Sequence, residues 1–313
     1  MSFIRLIVIF LLATAVFTEH ASAQCLSSAN PVGGSNNLLV LEKKSLRIIS
    51  FYRYNFGSQY YEGSSKSDFN LIKNANYNYL GNIFGYGLAD RLTMEAEIGY
   101  FINKTQNFNI DPQYTLRGSG FSNTVLSAKY GLIKKNDSRF FLSSSLGVKI
   151  PLSTNPIIKD GVELPVDVQP TLGSFGMVAQ LFMVKEKTLT GSRYFVTGRL
   201  ELNSANKKEY KLGTSMFTSL FYSKHLMFPW LKGDWTVILQ VRDELRGKDK
   251  TITGLKESSG SHLLYLAPQI NYFIMEKWNI SLMVDIPVYK YFNGIQLATK
   301  YGISVSLARD FRL

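Results

Sequence analysis

The sequence predicts an all-β chain, a transmembrane antiparallel up-and-down barrel of about twelve strands. Three observations carry that reading. Apolar and polar residues alternate with a period of two from residue 44 to the C-terminus, which is the pattern of strands with opposite faces in different surroundings. The connections alternate between short and long. One row of each strand carries no charge.

The N-terminus sets the compartment. Arg5 precedes the apolar run LIVIFLLATAVF at 6–17, and Ala21-Ser22-Ala23 follows. A positive start, an apolar core too short to span a bilayer and an A-x-A site make a secretory signal peptide over 1–23, cleaved after Ala23. Beyond it no segment reaches the ~18 to 20 continuous apolar residues of a spanning helix, so membrane residence would be through strands. Cys25 is the only cysteine, which excludes an internal disulfide. Gln24 and Ser22 depart from a lipoprotein signal, so lipidation of Cys25 and a free thiol stand as two readings. Residues 24–43, QCLSSANPVGGSNNLLVLEK, read either as a flexible periplasmic leader or as a plug of the lumen, and 44–313 read as the barrel.

The strands follow in order: 45–56, 74–88, 92–102, 121–133, 139–152, 171–184, 193–203, 211–226, 234–245, 262–275, 278–289 and 296–311. Short polar breaks at 89–91, 134–138, 185–192, 228–233 and 276–277 alternate with longer ones at 57–73, 103–120, 153–170, 204–210 and 246–261. Only 290–295 is brief where a long one is due. Short periplasmic turns and long external loops are what threading a barrel through a membrane produces. Stretches 74–88 and 262–275 mix phases, and their faces stay open. Pro268, in mid-strand, removes a ladder donor and predicts a bulge or a shifted register.

Sorting charges decides which face meets lipid. Leu146 and Val148, Leu200 and Leu202, Val237 to Val241, Ile280 to Val288 and Ile303 to Leu307 lie on rows free of Lys, Arg, Asp and Glu. A cation at the bilayer midplane costs about 2–4 kcal/mol, whereas a lumen tolerates charge. The opposite rows hold the candidate lumen residues: Arg47, Arg53, Glu95, Glu97, Lys129, Lys149, Arg199, Glu201, Arg242, Glu244 and Asp285, with Lys300 in the same phase. Two readings of these rows compete. Opposed acids and bases could set a transverse field across a pore, or pair into a network that fills and stiffens the barrel. Aromatics near row ends (Tyr52, Tyr54, Tyr100, Tyr194, Trp235, Phe311) suit interfacial girdles.

The net charge is +12, and Arg5 and Glu19 cancel within the signal. The basic balance suits lipopolysaccharide phosphates or anionic solutes, and no basic cluster interleaved with aromatics points to nucleic acid. Ser261-His262 sit next to each other on a strand, pointing oppositely, so they make no nucleophile–base pair. His225 and His262 with one cysteine form no metal motif, and no glycine-rich phosphate loop or other cofactor fingerprint occurs. The expectation is a barrel without enzymatic machinery.

The last hairpin, SLMVDIPVYKYFNGIQLATKYGISVSLARDF, joins a Pro287-x-Tyr289 strand end to Asn293-Gly294-x-Gln296-Leu297 and a strand closing on Phe311. With GLADRLTMEAEIGY at 87–100 it resembles the outer-membrane family known for the meta-pathway of phenol degradation. The resemblance implies a transporter-like barrel of about this strand number. It also implies passage of small hydrophobic or aromatic solutes. The sequence as a whole is read as a porin-like barrel of the bacterial outer membrane, with lipid, lipopolysaccharide and the barrel-assembly machinery as its expected partners. The rival from another class is a closed barrel that acts through its external loops.

Overall fold

The computed structural model describes residues 39–159, 161–226, 233–274 and 278–313. The signal peptide, its cleavage after Ala23, Cys25, the leader as far as residue 38 and most of the turns at 228–233 and 276–277 lie outside them.

Alternation produces strands throughout. The wall consists of β1 (Ser45–Gly63), β2 (Ile72–Ala89), β3 (Leu92–Phe108), β4 (Asn123–Lys135), β5 (Phe140–Pro151) and β6 (Gly176–Lys187). It continues with β7 (Ser192–Asn203), β8 (Ser215–Leu226), β9 (Asp234–Arg246), β10 (Ser261–Ile274) and β11 (Trp278–Arg312). Each pairs antiparallel with the next, and β11 returns to β1, so the ring closes without an edge.

β11 has 35 residues, more than one crossing needs. Its first part pairs with β10 through Phe292, and the part from Phe292 onward pairs with β1. The reversal falls at Asn293-Gly294, where Gly294 has φ 66°, the left-handed conformation that tight hairpin turns require. Counting both limbs gives twelve staves, as the sequence predicts. Short turns join β2 to β3 and β4 to β5, while 64–71, 109–122, 152–175, 204–214 and 247–260 lie at the opposite end.

The faces sort as charge requires. Leu146, Val148, Leu202, Leu239, Leu282, Ile286 and Val305 are exposed on the outside. Glu95, Glu97, Lys129, Arg199, Arg242 and Asp285 are buried inside. An outside this apolar, wrapped round a charged interior, is the reverse of a water-soluble sheet and matches a bilayer-facing barrel. Aromatic pairs stand at the wall's margins: Tyr100–Phe121 at 5.1 Å, Tyr194–Tyr222 at 5.4 Å and Trp235–Tyr272 at 4.5 Å between ring centroids.

Several strand limits and rows differ from the sequence pattern for identifiable reasons. β1 runs on to Gly63 and β3 to Phe108, because their upper residues are Asn, Gln, Tyr and Gly that pair well while reading as loop. β2, ambiguous in phase, turns Tyr77, Tyr79 and Ile83 inward and leaves Leu80 and Phe84 outside. Its inner row is aromatic rather than charged. Pro268 keeps regular register with Leu239 and faces outward, but the pairing of β10 with β11 lapses between Leu266 and Gln269, where its amide hydrogen is missing. The bulge lies instead opposite Leu264–Tyr265, beside Pro287. Lys300 is exposed outside, because the ladder slips there between Phe56↔Tyr301 and Gly57↔Thr299.

Candidate functional site in the barrel lumen

The inward rows bring the candidate residues into two ion-pair chains. In the first, Arg199 on β7 donates from Nη1 and Nη2 to the two carboxylate oxygens of Glu97 on β3, at 2.8 and 3.0 Å. Its Nε donates to Glu201 at 2.8 Å, and Lys149 on β5 donates to the other oxygen of Glu201 at 2.8 Å. Gln180 on β6 accepts from Nη1 at 3.2 Å. β3 and β7 are four places apart in the ring, so this chain crosses the lumen. Beside it Lys129, wholly buried, donates to Glu95 at 2.7 Å and lies over the Phe182 ring at 4.3 Å.

The second chain runs Arg53–Asp285–Arg242–Glu244. Arg53 and Arg242 reach the two oxygens of Asp285, each at 2.8 Å, and Arg242 holds Glu244 at 2.7 Å. Tyr265 lies 4.6 Å from the Arg242 guanidinium. Arg47 stands apart, paired with exposed Asp310 at the chain-terminal rim. Thus ten of the eleven candidate residues meet in the lumen and one guards its lower margin.

Between the first chain and the loop end lies a cavity of about 160 Å³. Phe51, Tyr79, Phe101 and Phe217 supply its aromatic wall, and Lys104, Lys149, Arg199 and Arg246 its cations. A smaller space of about 40 Å³ adjoins the second chain. An inward-folded loop narrows the upper mouth. Val168 is fully buried, packed with Leu116 and Leu164, and a Cβ on Gly118 would lie 2.1 Å from the Val168 carbonyl oxygen. Only glycine allows that approach. Gln169 staples the loop, accepting from the Ile157 amide at 2.9 Å and donating to the Ile157 and Leu164 carbonyls. Its own carbonyl accepts from Lys104 Nζ at 2.8 Å.

Two loop groups feel this burial. Asp167 is raised above the ordinary carboxylate value because burial disfavours its charge more than Lys104 and Arg246 favour it. Tyr210 is raised by burial and by donating to Asp249. Asp249 also accepts from Arg246 Nη2 and the Gly213 amide, tying the loops before β8 and β10 together.

Two residues just before β1 stand at the lower mouth. Leu41 is buried and its amide donates to Thr93 Oγ1 at 2.8 Å. Leu39 packs on an inner cluster of Phe182, Val184, Phe195, Phe221 and Ile238.

Sequence reasoning missed Lys104, the inner tyrosines and the folded loop. Lys104 falls in an apparent loop, and a slip in the β3 ladder after Phe101 puts it on the inner row. Ser261 points inward and His262 outward, where His262 Nε2 meets Asp243 at 2.7 Å. Among the described residues no three His, Cys, Asp or Glu side chains are grouped to hold a metal.

The fold and lumen define the class: a closed, bilayer-facing β-barrel. Among solved structures it is similar to the COG4313 outer membrane channel from Pseudomonas putida F1. The TM-score is 0.68 at 14% identity, covering 88% of this chain and 98% of that one. It is also similar to the beta domain of the Bordetella autotransporter Brka, with a TM-score of 0.50 at 10% identity, covering 86% of this chain and all of that one. At identities this low the likeness shows the fold alone. No protein-family model matches the chain, and no curated protein matches it in sequence.

Proposed function

We propose that the chain is an outer-membrane channel through which small hydrophobic or aromatic solutes pass by way of the lumen. The cavity carries this reading: a ring-sized space between an aromatic wall and a transverse ion-pair chain, narrowed by an inward loop. Export through the signal peptide cleaved near Ala23, insertion by the barrel-assembly machinery and contact with lipid and lipopolysaccharide belong to the same proposal. Leu39 and Leu41 in the lower mouth favour reading 24–43 as a plug rather than a loose leader.

One observation favours a second reading. The charges that could line a pore are paired with each other and nearly solvent-free, as in a filled barrel that works through its loops. Single-channel conductance of the refolded mature chain separates the two. Ohmic steps whose ion selectivity changes in Arg199→Gln support the channel. Silence from a folded, inserted protein, persisting after deletion of 24–43, would transfer the function to the loops.

A further inference from the structure

We infer that the lumen cavity binds small aromatic monocarboxylates, ring against Phe101, Tyr79 and Phe217 and carboxylate towards Lys104. The inference rests on the channel reading and names its solute class.

Size comes first. A space of about 160 Å³ is close to the roughly 150 Å³ of an apolar cavity that holds one benzene molecule. It takes a single ring with a small substituent. The wall then selects the ring: Phe101 packs on Tyr79 with centroids 4.8 Å apart, and Phe51 lies 5.9 Å from Tyr79, forming a buried aromatic bank.

Charge selects the substituent. Four cations line the cavity, Lys104, Lys149, Arg199 and Arg246, against two carboxylates, Glu97 and Glu201. Both carboxylates are engaged by Arg199 and Lys149. Arg246 is held by Asp249, which does not line the cavity. Lys104 differs from the other three. It is 5% exposed, its Nζ donates to the Gln169 carbonyl at 2.8 Å and it stands 5.1 Å from the Phe101 centroid. Its hydrogen-bond acceptor is a neutral backbone oxygen. Among the described residues no carboxylate forms an ion pair with it, and Asp167 on the loop acts on it only from farther off. A buried ammonium can make three donations, and a ligand carboxylate supplies a charge-assisted acceptor where a carbonyl supplies a weaker one. The neighbouring ring gives the ligand a stacking surface at the same point. A neutral or cationic ring of equal size gains the aromatic wall without the charge contact.

Equilibrium binding to the refolded full-length mature chain in detergent tests this, with benzoate, benzyl alcohol and benzylammonium as probes. Benzoate is expected to bind at least tenfold tighter than benzyl alcohol and benzylammonium more weakly than either. Lys104→Gln should abolish the preference for benzoate and Lys104→Arg should retain it. Val166→Glu, which adds a carboxylate to the loop side of the same cavity without removing a buried partner, should also weaken benzoate tenfold and serves if Lys104→Gln fails to refold. Equal affinities for benzoate and benzyl alcohol, or a preference unchanged in these variants, would overturn the inference. Conductance separates it from the channel reading: benzoate binding by a silent barrel refutes the channel alone, whereas conductance without carboxylate preference refutes this inference alone.

Discussion

Arg199 and Glu97 form a two-point ion pair across the lumen, from strands four places apart, with both side chains almost solvent-free. A buried pair is costly to break from one side, since the remaining charge loses its partner at about 3–5 kcal/mol. Arg199→Met is expected to lower unfolding stability by that order, and adding Glu97→Gln should restore most of it. Urea titration followed by the shift between folded and unfolded gel mobility measures both. Equal instability of the single and double variants would show that the pair is not the organising contact.

The outer face makes a different demand. Leu146 is 68% exposed in the middle of β5, and a cation there would sit in hydrocarbon. Leu146→Arg should cost about 2–4 kcal/mol in a bilayer. The same change would be nearly neutral on a water-facing surface, so a comparison of stabilities in vesicles decides which solvent this row meets.

Gly118 decides how far the loop can enter the mouth. Alanine there would collide with the Val168 carbonyl and lift the loop off the inner wall. We expect Gly118→Ala to raise conductance and speed proteolysis within 153–175, while the wall keeps its stability.

Asp167 gives that loop a pH dependence. Its folded value lies above the ordinary 3.8, so the folded loop holds its proton more tightly than the unfolded one. The contribution is fully present below the unfolded value and is lost as pH rises through the folded one. Loop protection against hydrogen exchange should therefore fall as pH climbs from about 4, and Asp167→Asn should flatten the curve.

The wall was legible in the sequence because lipid and lumen differ so sharply in what they tolerate. Leu146, Leu239 and Val305 could be sorted from Lys149, Arg242 and Asp285 by charge alone. β2 resisted because its inner row is tyrosine and isoleucine, so both faces look apolar. Lys104 was hidden by a ladder slip, and a one-residue slip reverses every later side chain. The folded loop gives no periodic signal, since Val168 and Gln169 are placed by contacts with Gly118, Ile157 and Lys104 that are distant in sequence. The cross-lumen partner of Glu97 could not be read either, because pairing across a ring depends on its closure.

The seam between β1 and the last limb of β11 joins Ser45 to Arg312 and continues through seventeen paired positions to Gly63 and Phe292. The first described strand of the wall is thus completed by the last. Until then β1 offers a long row of unsatisfied amides and carbonyls, the kind of template on which chains aggregate. Contacts of such sequence separation also form slowly. A chain that has not yet closed its ring therefore carries this open edge until the last limb docks, and loss of either limb would make that transient hazard permanent.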